Sequence, residues 1–229
     1  SIQGFTDVYD HATGEQKDIM AYPQLNLGTL PRDMKYRFNW NNPLITSPQN
    51  PKVLYHGAQL VLRSEDEGIT WTEISPDLTR NEPEKHNEGG VPFTNEAAGG
   101  EVYNTLSYLT ASPHSAGVIW AGSDDGLVHV TQDEGKNWSN VTPAGLEESL
   151  INAIEVSPHD PATAYIAVTR YKFNDLSPMI FVTNDFGKSW RKIVNGLPNN
   201  NFVRVVREDP VKKDLLYCGT EHGLYVSFN

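Results

Sequence analysis

The sequence predicts an all-β fold made of repeated antiparallel blades, and three observations carry this prediction. Short runs of Val, Ile, Leu and Tyr between Gly, Pro, Asn and Asp dominate the chain, and helical periodicity is scarce. One motif, Ser/Thr-x-Asp-x-Gly-x-x-Trp, occurs at 64–71, 131–138 and 183–190. Its steps of 67 and 52 residues suit a β-propeller of four-stranded antiparallel blades better than a sandwich.

The repeated motif, called the box here and numbered box 1 to box 3 along the chain, is predicted to be the turn of a β-hairpin. An apolar strand precedes each copy, and a short strand follows each Trp. The Asp can accept turn N–H groups, the Gly supplies a positive φ, and the Trp buries a large ring. The structural residues are Asp66, Gly68, Trp71, Asp133, Gly135, Trp138, Asp185, Gly187 and Trp190.

Each repeat unit contains a strand, a Ser-Pro or Asp-Pro turn, two further strands, a box and a last strand. Proline cannot donate to a strand ladder, so the turns mark strand ends. The sequence predicts one propeller segment over 1–229. Its parts are a partial blade and connector at 1–30, blades at 31–78, 100–145 and 146–197, and an incomplete blade at 198–229.

About four blades is the lower limit for a closed propeller. The sequence therefore favours a segment of a larger propeller, whose remaining blades come from a longer chain or a second copy. In the alternative, residues 5–19 complete the last blade and close a ring. A segment is expected to leave an unpaired sheet edge at one or both ends.

Composition limits the partners. The formal net charge is −11 and the pI about 5.0, which argues against nucleic acid and anionic membranes. No apolar run is long enough for a membrane-inserted helix. Cys218 is the single cysteine, so it is predicted to be a buried structural thiol. We expect a secreted, periplasmic or cell-surface location.

The box resembles the Asp-box, or BNR repeat, of sialidases, xyloglucanase-type glycosidases and sortilin-type receptors. In these families it lies on propeller blades, at the hairpin that joins the outer two strands. Residues 36–229 are similar to bacterial BNR-repeat proteins of the sortilin-like and glycosyl-hydrolase-like kinds, through the segments 36–41, 74–79 and 207–210. The resemblance implies the fold but does not separate enzymes from receptors.

Polar residues of the first strands are the main candidate site, because these strands line a propeller's channel. Amides and hydroxyls can bond sugar hydroxyls or peptide carbonyls in either direction, although channel residues also need polarity to contact water. Alignment on the Pro turns gives Asn39, Asn104, Ser149 and Asn201 eight residues before the turn, and Asn42, Ser107, Asn152 and Arg204 five before it. Trp40 and Tyr171 are candidate stacking platforms.

Two long segments, 79–100 and 169–178, are expected to reach the same mouth of the channel. The nine ligand-binding candidates are Asn39, Trp40, Asn42, Asn104, Ser149, Asn152, Asn201, Arg204 and Tyr171.

Catalytic residues are not assigned by the sequence. Glycoside hydrolysis needs two carboxyl groups roughly 5–9.5 Å apart, and no such pair is recognisable. The histidines lack metal-binding spacing, so no metal or cofactor is predicted. The predicted function is a recognition module for a protein or glycan at the channel mouth. The alternatives are a xyloglucanase-like or sialidase-like hydrolase with acids partly outside this chain, and a purely architectural propeller.

Overall fold

The computed structural model describes residues 3–93 and 101–228, and its regular structure is almost entirely antiparallel β-strand. Short 3-10 helices lie at Pro31–Asp33, Pro83–Lys85 and Tyr171–Phe173. The strands are β1 Asp7–Tyr9, β2 Gln16–Asp18, β3 Leu44–Thr46, β4 Leu54–Gly57, β5 Val61–Ser64, β6 Thr72–Glu73, β7 Leu106–Ala111, β8 Ile119–Ser123, β9 Val128–Thr131, β10 Ser139–Asn140, β11 Leu150–Val156, β12 Ala164–Arg170, β13 Asp175–Thr183, β14 Arg191–Lys192, β15 Val203–Glu208, β16 Leu216–Thr220 and β17 Gly223–Ser227.

The sheets form successive blades of a partial propeller. Strands β3–β6, β7–β10 and β11–β14 form four-stranded blades 1, 2 and 3, and β15–β17 form a three-stranded blade 4. Strands pair in sequence order, and every pair is antiparallel. The first strands β3, β7, β11 and β15 contact one another in turn, so they line the centre of the arc. This confirms the predicted all-β fold of four-stranded antiparallel blades.

The hydrophobic core lies between the blades. Leu106 and Ile119 of blade 2 pack with Val61 of blade 1, and all are at most 1% exposed. Equivalent clusters join blades 2 and 3, and blades 3 and 4, where Cys218 is buried. Burying one such aliphatic side chain contributes about 1.5–3 kcal/mol. Each blade therefore depends on its neighbours for its stability.

Each box satisfies its own polar groups. In box 1 the N–H of Gly68 donates to the Ser64 hydroxyl at 2.8 Å, and the N–H of Thr70 donates to Asp66 Oδ1 at 2.8 Å. The same bonds recur in boxes 2 and 3. Glu67 and Gly68 have φ of 60° and 90°, a conformation that glycine adopts without steric cost. The predicted Asp acceptor is therefore present, and the first hydroxyl takes the glycine N–H.

The box also fastens its blade to the one before it. Its Trp is half-buried and not enclosed beneath its own turn, which corrects the expectation of a fully buried ring. A Cβ on Gly187 would lie 2.6 Å from the Val141 Cβ, so only glycine permits this approach. The indole N–H groups donate to backbone carbonyls of the preceding unit: Trp71 to Ile19 at 2.9 Å, Trp138 to Ile74 at 2.8 Å and Trp190 to Val141 at 2.6 Å.

Strands β1 and β2 correspond to the outer two strands of a blade that precedes blade 1. The N–H of Ile19 donates to the carbonyl of Thr6 at 3.0 Å, as the N–H of Ile74 donates to that of Val61 at 3.0 Å. Within the described residues β1 pairs only with β2, and β17 pairs only with β16. Residues 5–19 therefore do not complete blade 4, and the ring-closure alternative does not occur in this structure.

A second contact between blades comes from the Pro turns. The residue two positions after the turn Ser bonds to the carbonyl of the equivalent turn residue in the next blade. The three bonds are Gln49 Nε2 to Ser112 O at 2.8 Å, His114 Nε2 to Ser157 O at 2.8 Å and His159 Nε2 to Asp209 O at 2.7 Å. Each junction between blades 1, 2 and 3 is thus held at both its outer hairpin and its Pro turn.

We predict that the Trp138→Ala variant lowers the free energy of unfolding by about 2–4 kcal/mol, since it empties part of the blade interface and removes the donor to Ile74. The Trp138→Phe variant keeps most of the ring and loses the bond, so it should cost only about 1 kcal/mol. Chemical denaturation measures both values. The exposed Trp40 is the matched control, and Trp40→Ala should change stability by less than about 0.5 kcal/mol. Unchanged stability of Trp138→Ala would contradict the fastening role.

Candidate functional site

A cavity of about 400 Å³ lies where the first strands of blades 2, 3 and 4 begin. Blade 1 contributes Asn39 and Trp40 to its wall, which come before β3 in the chain. The first strands of the next three blades contribute Ser107, Asn152 and Arg204. The cavity is therefore the mouth of the central channel, shared by four successive blades.

The three strand residues face the cavity because each lies at a β-bulge. The register of each first strand against its neighbour shifts between Leu106 and Tyr108, between Ile151 and Ala153, and between Val203 and Val205. The extra residues at these shifts are Ser107, Asn152 and Arg204. A bulge inserts one residue into a strand and redirects its side chain. One repeated backbone irregularity thus points three polar side chains at the same space.

Two of these side chains also bond to the next blade. The Ser107 hydroxyl donates to the carbonyl of Ile151 at 2.8 Å, and the Asn152 amide donates to that of Val203 at 3.4 Å. Within the described residues no group donates to the side-chain oxygen Oδ1 of Asn152 or to the hydroxyl oxygen of Ser107. Both therefore hold the blades together and keep acceptor capacity toward the cavity.

The two aromatic residues predicted to stack on a ligand, Trp40 and Tyr171, differ in how much of the ring is accessible. Trp40 is 46% exposed and lines the cavity. Tyr171 also lines it, but its ring is stacked on Phe202 with centroids 5.2 Å apart. The Arg204 guanidinium lies 5.2 Å from the Tyr171 centroid and donates to Glu221 at 2.9 Å. Only Trp40 of this pair offers an open face to a ligand.

The two long segments meet at the cavity. Phe93 from 79–100 and Phe173 from 169–178 are 5.4 Å apart between ring centroids, and Lys172 Nζ lies 4.5 Å from the Phe93 centroid. All three line the cavity. Residues 94–100 of the first segment lie outside the described residues.

Asn104, Ser149 and Asn201, the candidates eight positions before the turn, do not line the cavity, and they are 0%, 0% and 3% exposed. In blades 2, 3 and 4 the first strands begin only six or seven residues before the turn, so these residues fall in the preceding crossing loop. There Asn104 and Asn201 support the hairpin turn between the second and third strands of their own blade. Asn104 donates to Asp125 at 2.6 Å, and Asn201 accepts from the N–H of His222 at 3.2 Å.

The remaining candidates belong to blade 1. Asn39 lines the cavity and accepts the N–H of Trp40 at 2.7 Å. Asn42 is 5% exposed and accepts the N–H of Gly4 at 3.2 Å, which ties the N-terminal segment to this blade. The structure thus brings Asn39, Trp40, Asn152, Arg204 and Tyr171 into one cavity and leaves the other four candidates outside it.

Asp124 is a cavity residue that the sequence did not single out. Its carboxylate accepts the N–H of Thr105 at 2.9 Å and the Thr105 hydroxyl at 2.7 Å. Burial, and then the charge of Asp125, raise the pKa of Asp124 well above its usual range. Its turn joins the second and third strands of blade 2, as 169–178 does in blade 3. That shared position is the sequence signal that could have placed Asp124 at the mouth.

Asp125 anchors the loop that borders the cavity. It accepts from the N–H of Arg80 at 2.8 Å and from the Ser123 hydroxyl at 2.5 Å. His86 bonds to Asn104 Oδ1 at 2.7 Å, and burial lowers the pKa of His86. These contacts fix residues 80–86 to blade 2 without using a cavity-facing group.

No group of three or more His, Cys, Asp or Glu side chains in the described residues is arranged to hold a metal ion. In the same part of the chain, no helix has the length and apolar character needed to cross a membrane.

Comparison with solved structures supports the propeller fold. One similar structure is a GH74 xyloglucanase from Xanthomonas campestris. The match covers 93% of this chain and 31% of the xyloglucanase chain, with 19% sequence identity and a TM-score of 0.60. An ancestral GH74 enzyme matches 90% of this chain and 24% of its own, with 16% identity and a TM-score of 0.56. The match to YCF48 from Cyanidioschyzon merolae covers 99% of this chain and 63% of the YCF48 chain, with 11% sequence identity and a TM-score of 0.57.

The chain therefore spans between about a quarter and under two thirds of these proteins. No family model and no curated protein matches it. At these identities the similarities show the fold, and the chain is a partial β-propeller.

We predict that Asp124→Asn gains stability relative to the wild type as the pH rises from about 4 to about 9. A carboxyl whose folded pKa is raised binds more protons when folded, so the wild type loses stability as that proton leaves. The neutral amide removes this loss. Melting temperatures across the pH range measure the difference.

Asp185 provides the control of opposite sign. Hydrogen bonds from Ser189 and Thr183 lower its pKa to about 2, so its stabilisation is lost only in acid, as the pH falls below the ordinary value toward 2. The Asp185→Asn difference should stay flat above about pH 5. A flat profile for Asp124→Asn as well would contradict its raised pKa.

Proposed function

We propose that this chain is a recognition module that binds a glycan segment in the cavity at the channel mouth. One observation carries the proposal. The bulged residues Ser107 and Asn152 and the exposed Trp40 line the same 400 Å³ cavity, although they come from three different blades. This volume is within the range of about 300–1,000 Å³ that is usual for ligand pockets.

The chemistry of the wall suits an uncharged polar chain. Hydroxyl and amide groups can donate to and accept from sugar hydroxyls, and an open indole offers an apolar face to a sugar ring. The cation of Arg204 is already paired with Glu221. Contacts with Ser107, Asn152 and Trp40 are made to neutral groups, so binding through them should depend only weakly on salt.

The resemblance of the three boxes to those of Asp-box proteins, which include both enzymes and sortilin-type receptors, is compatible with a recognition role. The name of the xyloglucanase neighbour gives a glycan as its substrate, so a propeller of this fold is compatible with glycan binding. Under this proposal the chain acts at a secreted, periplasmic or cell-surface location, alongside the further blades of a larger propeller.

A glycoside hydrolase is the second candidate, and one observation favours it. Asp124 and Glu101 both line the cavity, and the raised pKa of Asp124 is the property that a general acid needs. Hydrolysis requires a second carboxyl group across the scissile bond. That group would be Glu101 or an acid outside this chain.

The test is a glycan array followed by titration of the best ligand against variants of the cavity. Loss of one hydrogen bond in Asn152→Ala should weaken binding by about 1 kcal/mol, or roughly fivefold. Trp40→Ala should weaken it at least as much. Tyr9→Ala and Asn200→Ala remove an exposed aromatic and an exposed amide away from the cavity, so they should bind as the wild type does.

Binding that both cavity variants leave unchanged would refute the assignment of the site. If the chain binds a peptide but no glycan, and both cavity variants weaken peptide binding, the chain is instead a protein-recognition module. Release of reducing sugar that Asp124→Asn abolishes would identify the hydrolase.

A further inference from the structure

The hairpin between the second and third strands of blade 3 brings a lysine to the channel mouth. Lys172 is exposed, lines the cavity, and has its Nζ 4.5 Å from the ring centroid of Phe93. The strands of this hairpin, β12 and β13, have seven and nine residues, whereas β8 and β9 of blade 2 have five and four. Blade 3 therefore has the longer hairpin, and Lys172 lies at its tip.

Both neighbours of Lys172 in the chain are packed, so its position is fixed. Lys172 is the middle residue of the short 3-10 helix at this tip. On one side, Tyr171 stacks on Phe202 of blade 4 with ring centroids 5.2 Å apart. On the other side, Phe173 packs edge-on against Phe93 at 5.4 Å. The hairpin is thus held at two points, and the ammonium group is presented between them.

Lys172 differs from the neighbouring cations because it has no counter-ion. Arg170 pairs with Glu147, and Arg204 pairs with Glu221 at 2.9 Å. In the described part of the chain, no carboxylate forms an ion pair with Lys172. The cavity therefore contains one positive charge that is available to an anion.

The two carboxyl groups that line the cavity do not neutralise this charge. Asp124 accepts two hydrogen bonds from Thr105, at 2.9 and 2.7 Å. Burial raises the pKa of Asp124 well above its usual range, so near neutral pH this group carries less than a full negative charge. Glu101 lines the cavity as well, but it makes no ion pair with Lys172 in this structure.

We propose that Lys172 binds a single anionic substituent, a carboxylate or a sulfate, on one sugar of the glycan. This inference rests on the proposed glycan-binding function and names the kind of glycan. Contacts with Ser107, Asn152 and Trp40 hold the neutral sugars, and the Lys172 ammonium donates to the anion. Such a charge-assisted hydrogen bond is roughly twice as strong as a neutral one, so Lys172 selects for the acidic sugar.

The charge of the whole chain limits the ligand to a low density of acidic groups. The formal net charge is −11, so a polyanion would be repelled along its whole length. A single anion in contact with Lys172 lies well within the Debye length of about 8–10 Å, where the nearby cation outweighs more distant charges. The expected ligand is therefore a mainly neutral polysaccharide with isolated acidic sugars.

The test uses oligosaccharides that differ in one charged group. The probes are short neutral oligosaccharides of glucose, mannose or galactose, each prepared also with one primary alcohol oxidised to a carboxylate or esterified with sulfate. The full chain is titrated with every probe at low and at physiological salt. An acidic probe should bind about fivefold more tightly than its neutral parent, the factor for about 1 kcal/mol. The difference should shrink as salt is added.

Variants then assign the preference to one side chain. Lys172→Gln keeps most of the side chain and removes its charge, so it should abolish the preference for the acidic probe. Lys172→Arg keeps the charge and should retain the preference. The matched control is Lys188→Gln, which removes an exposed lysine that does not line the cavity, and it should bind every probe as the wild type does.

The outcomes separate this inference from the function on which it rests. A preference for only the carboxylate or only the sulfate supports the inference and identifies the substituent. Equal binding of acidic and neutral probes by the wild type would overturn it and leave the glycan-binding function standing. A preference that survives in Lys172→Gln would overturn it too, because another group would then hold the anion. If acidic peptides bind and no oligosaccharide does, both the inference and the proposed function fail.

Discussion

The bond from a box indole to a backbone carbonyl of the preceding unit is the interaction on which the rest of the structure depends. Each blade is too thin to enclose a core, so its apolar faces are buried only against neighbouring blades. One such bond is worth only about 1 kcal/mol, but it fixes the position of a large ring over the junction. The hydroxyl and carboxylate of the box satisfy the turn internally, so its Gly and Trp are available to contact the preceding unit.

The blades were predictable because the signals that define them are local. Asp66, Gly68 and Trp71 lie within one turn, and their spacing reports the hairpin without knowledge of the rest of the chain. The direction of the Trp was not predictable from the motif. Whether an indole folds under its own turn or reaches Ile19 depends on a partner 52 positions away in sequence, and a turn pattern carries no information about that distance.

The residues that line the cavity were predictable only in part, for a related reason. Alignment on the Pro turns found Asn152 and Arg204, because residues at equal positions of equivalent strands lie at equal depth. It also selected Asn104 and Ser149, which lie before the strand begins and are buried. The bulge that turns Asn152 toward the cavity is a property of the pairing between β11 and β12. A single strand's sequence does not report that pairing.

The polar side chains at the three bulged positions have two different structural roles. Ser107 and Asn152 each use one donor to bond the first strand of the next blade, so a polar side chain there is required by the architecture even without a ligand. Among the residues that the structure describes, Arg204 makes no such bond and instead pairs with Glu221 of its own blade, over the rings of Tyr171 and Phe202. The three bulged positions therefore present acceptor oxygens on blades 2 and 3 and a cation held in place on blade 4. Under the proposed glycan-binding function, this difference between the blades predicts that an elongated ligand with distinguishable ends binds in one orientation.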